Sequence, residues 1–241
     1  MSDVIITVGT ADLRAALSSV VVHAGNDEHL PTYTRVRMLV DPVNLWVMAT
    51  DRFSMGQAIV SIWEQVEPGL ATIDVLPEDV KKILSIFKAG KEKADSDAPE
   101  FQVRIEADDE FVTLVDCAGF VDGRSYKIPR LPTDEQFLDI PKMISRSHFS
   151  APVLIEELAV DGPRFARFAV AASAYLKPLL LESHTGFRSL LIRAGESFLG
   201  LLMPLNIGEE DAARNKEWSV AWSSRLPEPA YSSNNHDEAA S

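Results

Sequence analysis

The sequence predicts an α+β fold of repeated units, each of antiparallel strands and one helix, and three observations carry that prediction. Between Leu30 and Val60 apolar residues alternate with period two: Val36, Met38 and Val40 interleave with Arg35, Arg37 and Leu39, and Leu45, Val47 and Ala49 resume after the Asp41-Pro42 break. Amphipathic helical stripes, opened by a capping residue or proline, follow the first strand of each module, and the first two close near a glycine. The order strand, helix, three strands then occurs twice before Pro129, a repeat of architecture and not of sequence.

The elements follow in order. Val4–Val8 reads as a strand, and Thr10 as the cap of a helix from Ala11 to about Ala24, ended by Gly25, with Leu13, Leu17, Val20 and Val21 on one side and Arg14 and Ser18 turned away. Three strands follow through Trp63, the last two joined by the polar turn Thr50-Asp51-Arg52, which Asp51 can close by bonding its own backbone. Ala71–Val75 is the next strand. Pro77 opens a helix to about Ala89, with Val80, Ile83, Leu84 and Phe87 as its apolar stripe and Lys81, Lys82, Ser85 and Lys88 elsewhere. After a polar loop, KEKADSDAPE, Phe101–Glu106 and Phe111–Asp116 form a hairpin, and Arg124–Ile128 the last strand of the module. Pro129, Pro132 and Pro141 limit regular structure, so a domain boundary is expected over Thr133–Ser150.

A third module is predicted beyond it. Val153–Val160 reads as extended, and Pro163 starts a helix to about Ala174 with Phe165, Phe168, Ala169 and Ala172 facing in and Arg164 and Arg167 on another side. Leu179–Glu182, Arg188–Arg193 and Phe198–Leu205 are strands. Residues 208–241, rich in Glu, Ser, Asn and Pro, read as a disordered tail, or as a tethered segment whose Trp218 and Trp222 share a helix face.

Composition narrows the function classes. With 241 residues and 46% apolar content the chain builds an ordinary core, and its net charge of −13 argues against a protein that is basic all over, while leaving room for one locally basic surface. Cys117 is the single cysteine, which excludes an intrachain disulfide and points to a buried structural thiol. No apolar run reaches about 18 residues and no signal peptide opens the chain, so a soluble, cytoplasmic protein without membrane contact is expected. His23, His29, His148, His184 and His236 show no metal-ligand spacing, and there is no phosphate loop or nucleophile elbow. The expectation is a non-enzyme without cofactor or metal.

Three stretches resemble one family. LPTYTRVRMLVDPVNLWVMATDRFSMGQA and RSYKIPRLPTDEQF look like parts of the middle domain of the bacterial DNA polymerase III beta sliding clamps, and SFLGLLMPLNI, with Met203-Pro204-Leu205, resembles their C-terminal strand. The resemblance implies the sliding-clamp fold, with helices on one side of antiparallel sheets. Residues 1–140 would be a clamp domain like the middle one, 141–207 a partial domain like the end of the last, and 208–241 a tail. It also implies a processivity factor that encircles duplex DNA without regard to sequence, binds a DNA polymerase and other proteins with a clamp-binding motif, is opened by a clamp loader and closes a homo-oligomeric ring. A phage origin would suit the divergence.

Two sets of site residues follow. Arg14, then Lys81, Lys82 and Lys88, then Arg164 and Arg167 lie opposite three apolar stripes; singly each set is an ordinary solvated face, but on helices that share one side of the sheets they would line a hole and give loose phosphate contacts. By resemblance, Thr50, Phe53, Ser54, Met55, Pro132, Met203, Pro204 and Leu205 would form an adaptable apolar groove for a partner peptide. Ser54 stands where the family has an arginine, so one polar contact is missing. The chain lacks part of the three-domain length, so a ring of twelve helices at three per chain would take four chains, or three chains if Glu135–Ile144 supplies a fourth helix. The rival reading is a clamp-like interaction protein that closes no ring and competes with a host clamp or its partners.

Overall fold

Strand alternation and helix stripes become two recurring modules and part of a third. The computed structural model describes residues 4–65, 70–90, 98–133, 136–155, 158–186 and 189–227. The first module is β1 (Val4–Gly9), α1 (Thr10–Val21), β2 (Val36–Val40), β3 (Asn44–Thr50) and β4 (Ser54–Gln65); the second is β5 (Ala71–Val75), α2 (Pro77–Ile86), β6 (Gln102–Ala107), β7 (Phe111–Asp116) and β8 (Ser125–Pro129). Then come α3 (Ile140–His148), β9 (Pro152–Val153), α4 (Gly162–Ala166), α5 (Phe168–Tyr175), β10 (Leu179–His184), β11 (Leu190–Ala194), β12 (Phe198–Leu202) and α6 (Glu209–Arg225). The chain divides into two compact units, Met1–Pro204 and Leu205–Ser241.

In the first unit the strands form one sheet in the order β8-β7-β6-β1-β4-β12-β11-β10-β9, with β2 bridging β3 and β5 off that path, and every pairing is antiparallel. β4 is the junction because it changes partners along its length. Its Ser54–Ala58 pairs with Leu202–Phe198 of β12, and its Ile62, Glu64 and Gln65 pair with β1. Period two then sorts the side chains to opposite faces. One face carries Val47, Ala58, Val60, Ile192, Phe198 and Leu202 against α1, α2 and α5, with α1 packed on both other helices; the other carries Met48, Met55, Leu191 and Leu201 against Phe137, Ile140 and Ile144. Full burial of side chains of this size is worth about 1.5–3 kcal/mol each.

Several expectations need correction. Thr10 does not cap α1: its side chain makes no cap bond, and its N–H is taken instead by the Phe101 carbonyl at 2.9 Å, so a neighbouring strand sets the helix start. α2 stops at Ile86, and Phe87 is extended (φ −91°, ψ 103°). A Cβ on Gly90 would lie 2.7 Å from the Phe101 ring, so that glycine serves close approach and does not end a helix. The expected single helix from Pro163 breaks at Arg167 into α4 and α5, which shifts the buried positions to Phe168 and Ala171 and leaves Ala169 exposed. Among the described residues of the expected Val153–Val160 strand only Val153 pairs, in the two-residue β9, and Cys117 is half-buried. Arg188 and His236, and most of the KEKADSDAPE loop, lie outside the described residues.

The prolines predict little regular structure over 133–150, but α3 forms there, overlapping the alternative fourth helix over Glu135–Ile144. Pro141 sits in the first turn, where its missing N–H costs nothing, and Asp139 caps it by accepting from the Lys142 N–H at 3.0 Å. Its apolar side covers the sheet face opposite α1, α2 and α5, so it adds no fourth helix to theirs. In the second unit α6 replaces part of the expected disordered tail, with Glu209, Glu210 and Asp211 in its first turn suiting the helix dipole. Trp218 and Trp222 are exposed on it.

Candidate functional site

The turn between β3 and β4 is held from both sides by hydrogen bonds. Thr50 Oγ1 donates to the Ser54 carbonyl at 2.9 Å and accepts from the Arg52 N–H at 2.9 Å. Asp51 Oδ1 accepts from the Phe53 and Ser54 N–H groups at 3.0 and 2.7 Å. Its other oxygen, Oδ2, accepts from Arg164 Nε at 3.1 Å and Arg167 Nη1 at 2.7 Å. Burial opposes charge on the Asp51 carboxyl, but the bonds from the Ser54 N–H, both arginines and the Phe53 N–H hold it below the usual carboxylate range.

Beneath the turn lies a buried polar core. Ser54 Oγ meets Asp51 Oδ1 at 3.2 Å, Arg167 Nη1 at 2.9 Å and His23 Nδ1 at 3.2 Å. His23 packs on Phe168, ring centroids 4.6 Å apart, and a Cβ on Gly56 would fall 2.7 Å from its Cδ2, so only glycine leaves room for the ring. Burial first, and the neighbouring Arg167 charge second, push the His23 pKa down to about 3 against the pull of Asp51, so the ring is neutral. Serine, histidine and aspartate thus meet, but Ser54 is fully buried and Asp51 bonds the serine, not the histidine. This is a lock on the turn, with no hydroxyl open to a substrate.

The residues expected in the peptide groove divide. Phe53 is 48% and Met203 39% exposed, and the Met203 N–H donates to the Phe53 carbonyl at 2.8 Å, so β12 delivers Met203 to the turn. Pro204 follows, half-buried. Thr50, Ser54 and Met55 are buried, Ser54 against His23 and Met55 on the opposite face of the sheet in the cluster under α3, so these three support the turn from within and do not line an open groove. Pro132 is exposed, with its carbonyl accepting from Arg35 Nη1 at 3.1 Å. Leu205, 48% exposed, opens the second unit. Sequence reasoning missed Arg164 as a member of this corner: its guanidinium lies 4.4 Å from the Phe53 ring centroid and brings an arginine to the turn from α4.

The cations expected to line a hole divide as well. Arg14 Nη1 donates to the Leu84 and Phe87 carbonyls and closes the end of α2, while Arg164 and Arg167 are held by Asp51. Lys81, Lys82 and Lys88 are exposed. Of these, Lys82 reaches Asp79 at 3.3 Å, and its hydrogen bonds to Tyr126 and Asp79 raise its pKa. Among the described residues no group of His, Cys, Asp and Glu is placed to hold a metal, and no helix is long and apolar enough to cross a membrane.

No family model matches the chain, and no curated protein is significantly similar to it. Solved structures are. The DNA polymerase III beta subunit of Thermotoga maritima aligns over 88% of this chain and 67% of its own, with 13% identity and a TM-score of 0.61. The DNA polymerase sliding clamp of Bacillus subtilis aligns over 85% and 64%, with 12% identity and a TM-score of 0.58. A DNA polymerase III beta sliding clamp of Pseudomonas aeruginosa bound to griselimycin aligns over 88% and 68%, with 15% identity and a TM-score of 0.54. The chain spans about two thirds of the length of those proteins. With the strand path, the helix-covered face and the β3–β4 turn, these likenesses identify the fold: the chain is a divergent carrier of the sliding-clamp fold of bacterial DNA polymerase III beta subunits.

Proposed function

We propose that the chain is a DNA sliding clamp, a processivity factor with no reaction of its own that encircles duplex DNA as a homo-oligomeric ring and tethers a replicative polymerase through a short peptide. The observation that supports this most is the β12–turn junction, which sets exposed Phe53 and Met203 side by side on a clamp-fold sheet. A thioether and an aromatic ring side by side on a hydrogen-bonded turn suit an aliphatic or aromatic anchor from a partner. Tethering then raises the partner's effective concentration at its DNA end. Residues 1–140 would correspond to a middle clamp domain and 141–207 to the end of the last. On the helix face Lys81, Lys82 and Lys88 are the proposed phosphate contacts, with Arg14, Arg164 and Arg167 as scaffolding behind them. Loose cationic contacts permit sliding, and the net charge of −13 repels DNA from other surfaces. A loader that opens the ring is an implied partner.

One observation favours a second reading, a clamp-like protein that closes no ring and competes for clamp partners: three of the six cations expected to line a hole, Arg14, Arg164 and Arg167, are committed inside the fold. Retention on DNA separates the two. Incubated with nicked circular plasmid and gel-filtered, a ring stays with the circle and is lost once the plasmid is linearised. Equal loss from both forms, with a monomer by light scattering, rejects encirclement and leaves the second reading.

A further inference from the structure

α6 carries a face that neither the peptide corner nor the lysines use. The helix runs 17 residues, Glu209–Arg225, and none of them is buried. A lone helix of this length is close to marginal in water and takes most of its stability from packing a face against something else. Trp218 and Trp222 are nevertheless 57% and 58% exposed, although an indole gains much from being covered. At 3.6 residues per turn, Asp211, Arg214, Trp218, Trp222 and Arg225 fall on one side of the helix. The gaps between them are three, four, four and three residues, so the spacing is the same in both directions about Trp218.

The chemistry is matched in the same way as the spacing. A second α6 laid antiparallel across a two-fold axis at Trp218 sets Trp218 on its own copy, Arg214 on Trp222 and Asp211 on Arg225. Aromatic on aromatic, guanidinium on indole and carboxylate on guanidinium are each favourable contacts. A parallel pair would instead bring Asp211 to Asp211 and Arg225 to Arg225, which like charge disfavours. Within one chain the same groups already show these affinities: Arg214 Nη1 lies 3.2 Å from Asp211 Oδ1, and the Arg225 guanidinium carbon lies 5.9 Å from the Trp222 ring centroid. Both contacts are exposed and weak, so they exchange readily for contacts between chains. We infer that α6 is a self-association element, through which two copies of this chain join as an antiparallel helix pair centred on Trp218. The inference rests on neither the ring nor the peptide site proposed above.

Sedimentation of the full-length chain over a dilution series tests it. The native assembly is expected to have twice the mass of the variant carrying Trp218→Ala and Trp222→Ala together. Arg225→Asp sets acid against acid at both ends of the helix pair and shifts association to a concentration about 10-fold higher or more. Asp211→Arg does the same with arginine against arginine. Combining Asp211→Arg with Arg225→Asp restores opposite charges across the pair and returns association towards the native range, a rescue that simple damage to the helix would not produce. Lys216→Glu, on the other side of α6, leaves the native mass in place. Equal masses for the native chain and the double tryptophan variant overturn the inference, and so does a double charge variant that associates no better than the single ones. Either result leaves the ring and the peptide site to their own tests.

Discussion

Six cations on the helix side of the sheet look alike in sequence, and the fold separates them into two kinds. Arg14, Arg164 and Arg167 turn inward, onto the carbonyls ending α2 and onto Asp51, with the side chains of Arg164 and Arg167 about 30% exposed. Lys81, Lys82 and Lys88 point to solvent, Lys82 with 59% of its side chain exposed. The difference follows from chemistry. A guanidinium presents a planar fork that can satisfy two acceptors at once, so arginine suits a corner where strands and helices must be tied together. A hydrated ammonium on a flexible stem stays outside, where a passing phosphate can use it.

The contrast breaks most visibly at Asp51. Asp51→Ala removes the acceptor shared by both arginines and the bonds that close the turn, and is expected to cost about 3 kcal/mol in chemical denaturation, the partly exposed arginines keeping it below the loss from a fully buried pair. A loss under about 1 kcal/mol would place Arg164 and Arg167 in the same class as the lysines.

Acid provides the next test. The folded pKa of His23 lies near 3, below its unfolded value of 6.5, so the unfolded chain takes up a proton first and stability falls as pH drops below 6.5, until the folded pKa is reached. The slope approaches about 1.4 kcal/mol per pH unit. Asp51, whose folded pKa is depressed, contributes stability that is present above the unfolded carboxylate pKa and is lost as pH falls through the folded one, so the two effects share a direction. In His23→Gln the slope between about pH 6 and 4.5 should disappear; its persistence would put the titration elsewhere.

The smallest effect on stability sharpens the other half of the comparison. Replacing Lys81, Lys82 and Lys88 together by Gln should change unfolding free energy by no more than about 0.5 kcal/mol. The slope of log affinity for duplex DNA against log salt should meanwhile flatten by about 2.7, roughly 0.9 for each phosphate that a lysine no longer neutralises. An unchanged slope removes these lysines from the proposed phosphate contacts.

Much of the frame is legible in the sequence because alternation and helical stripes are local signals. The strands around Met38, Val47 and Leu114 stand where period two puts them, and Pro77 opens α2 as expected. What local signals cannot carry is pairing across distance. Asp51 is 113 residues from Arg164 and 116 from Arg167, so nothing nearby announces that these arginines are already committed. Phe53, Met203 and Pro204 are legible only through family resemblance, and their joining rests on one strand's register. Prolines mislead in a different way. Pro141 reads as a breaker, yet with Asp139 before it and Ile140 and Ile144 spaced one turn apart it begins α3.

β4 belongs to two modules at once, pairing with β12 through its first residues and with β1 through its last. Pulling it from either neighbour strips hydrogen bonds from a strand the other also depends on. The first and third modules are thus coupled mechanically: loosening one end of the strand softens the opposite end, and local opening at the Phe53 corner draws on the cohesion of the entire sheet.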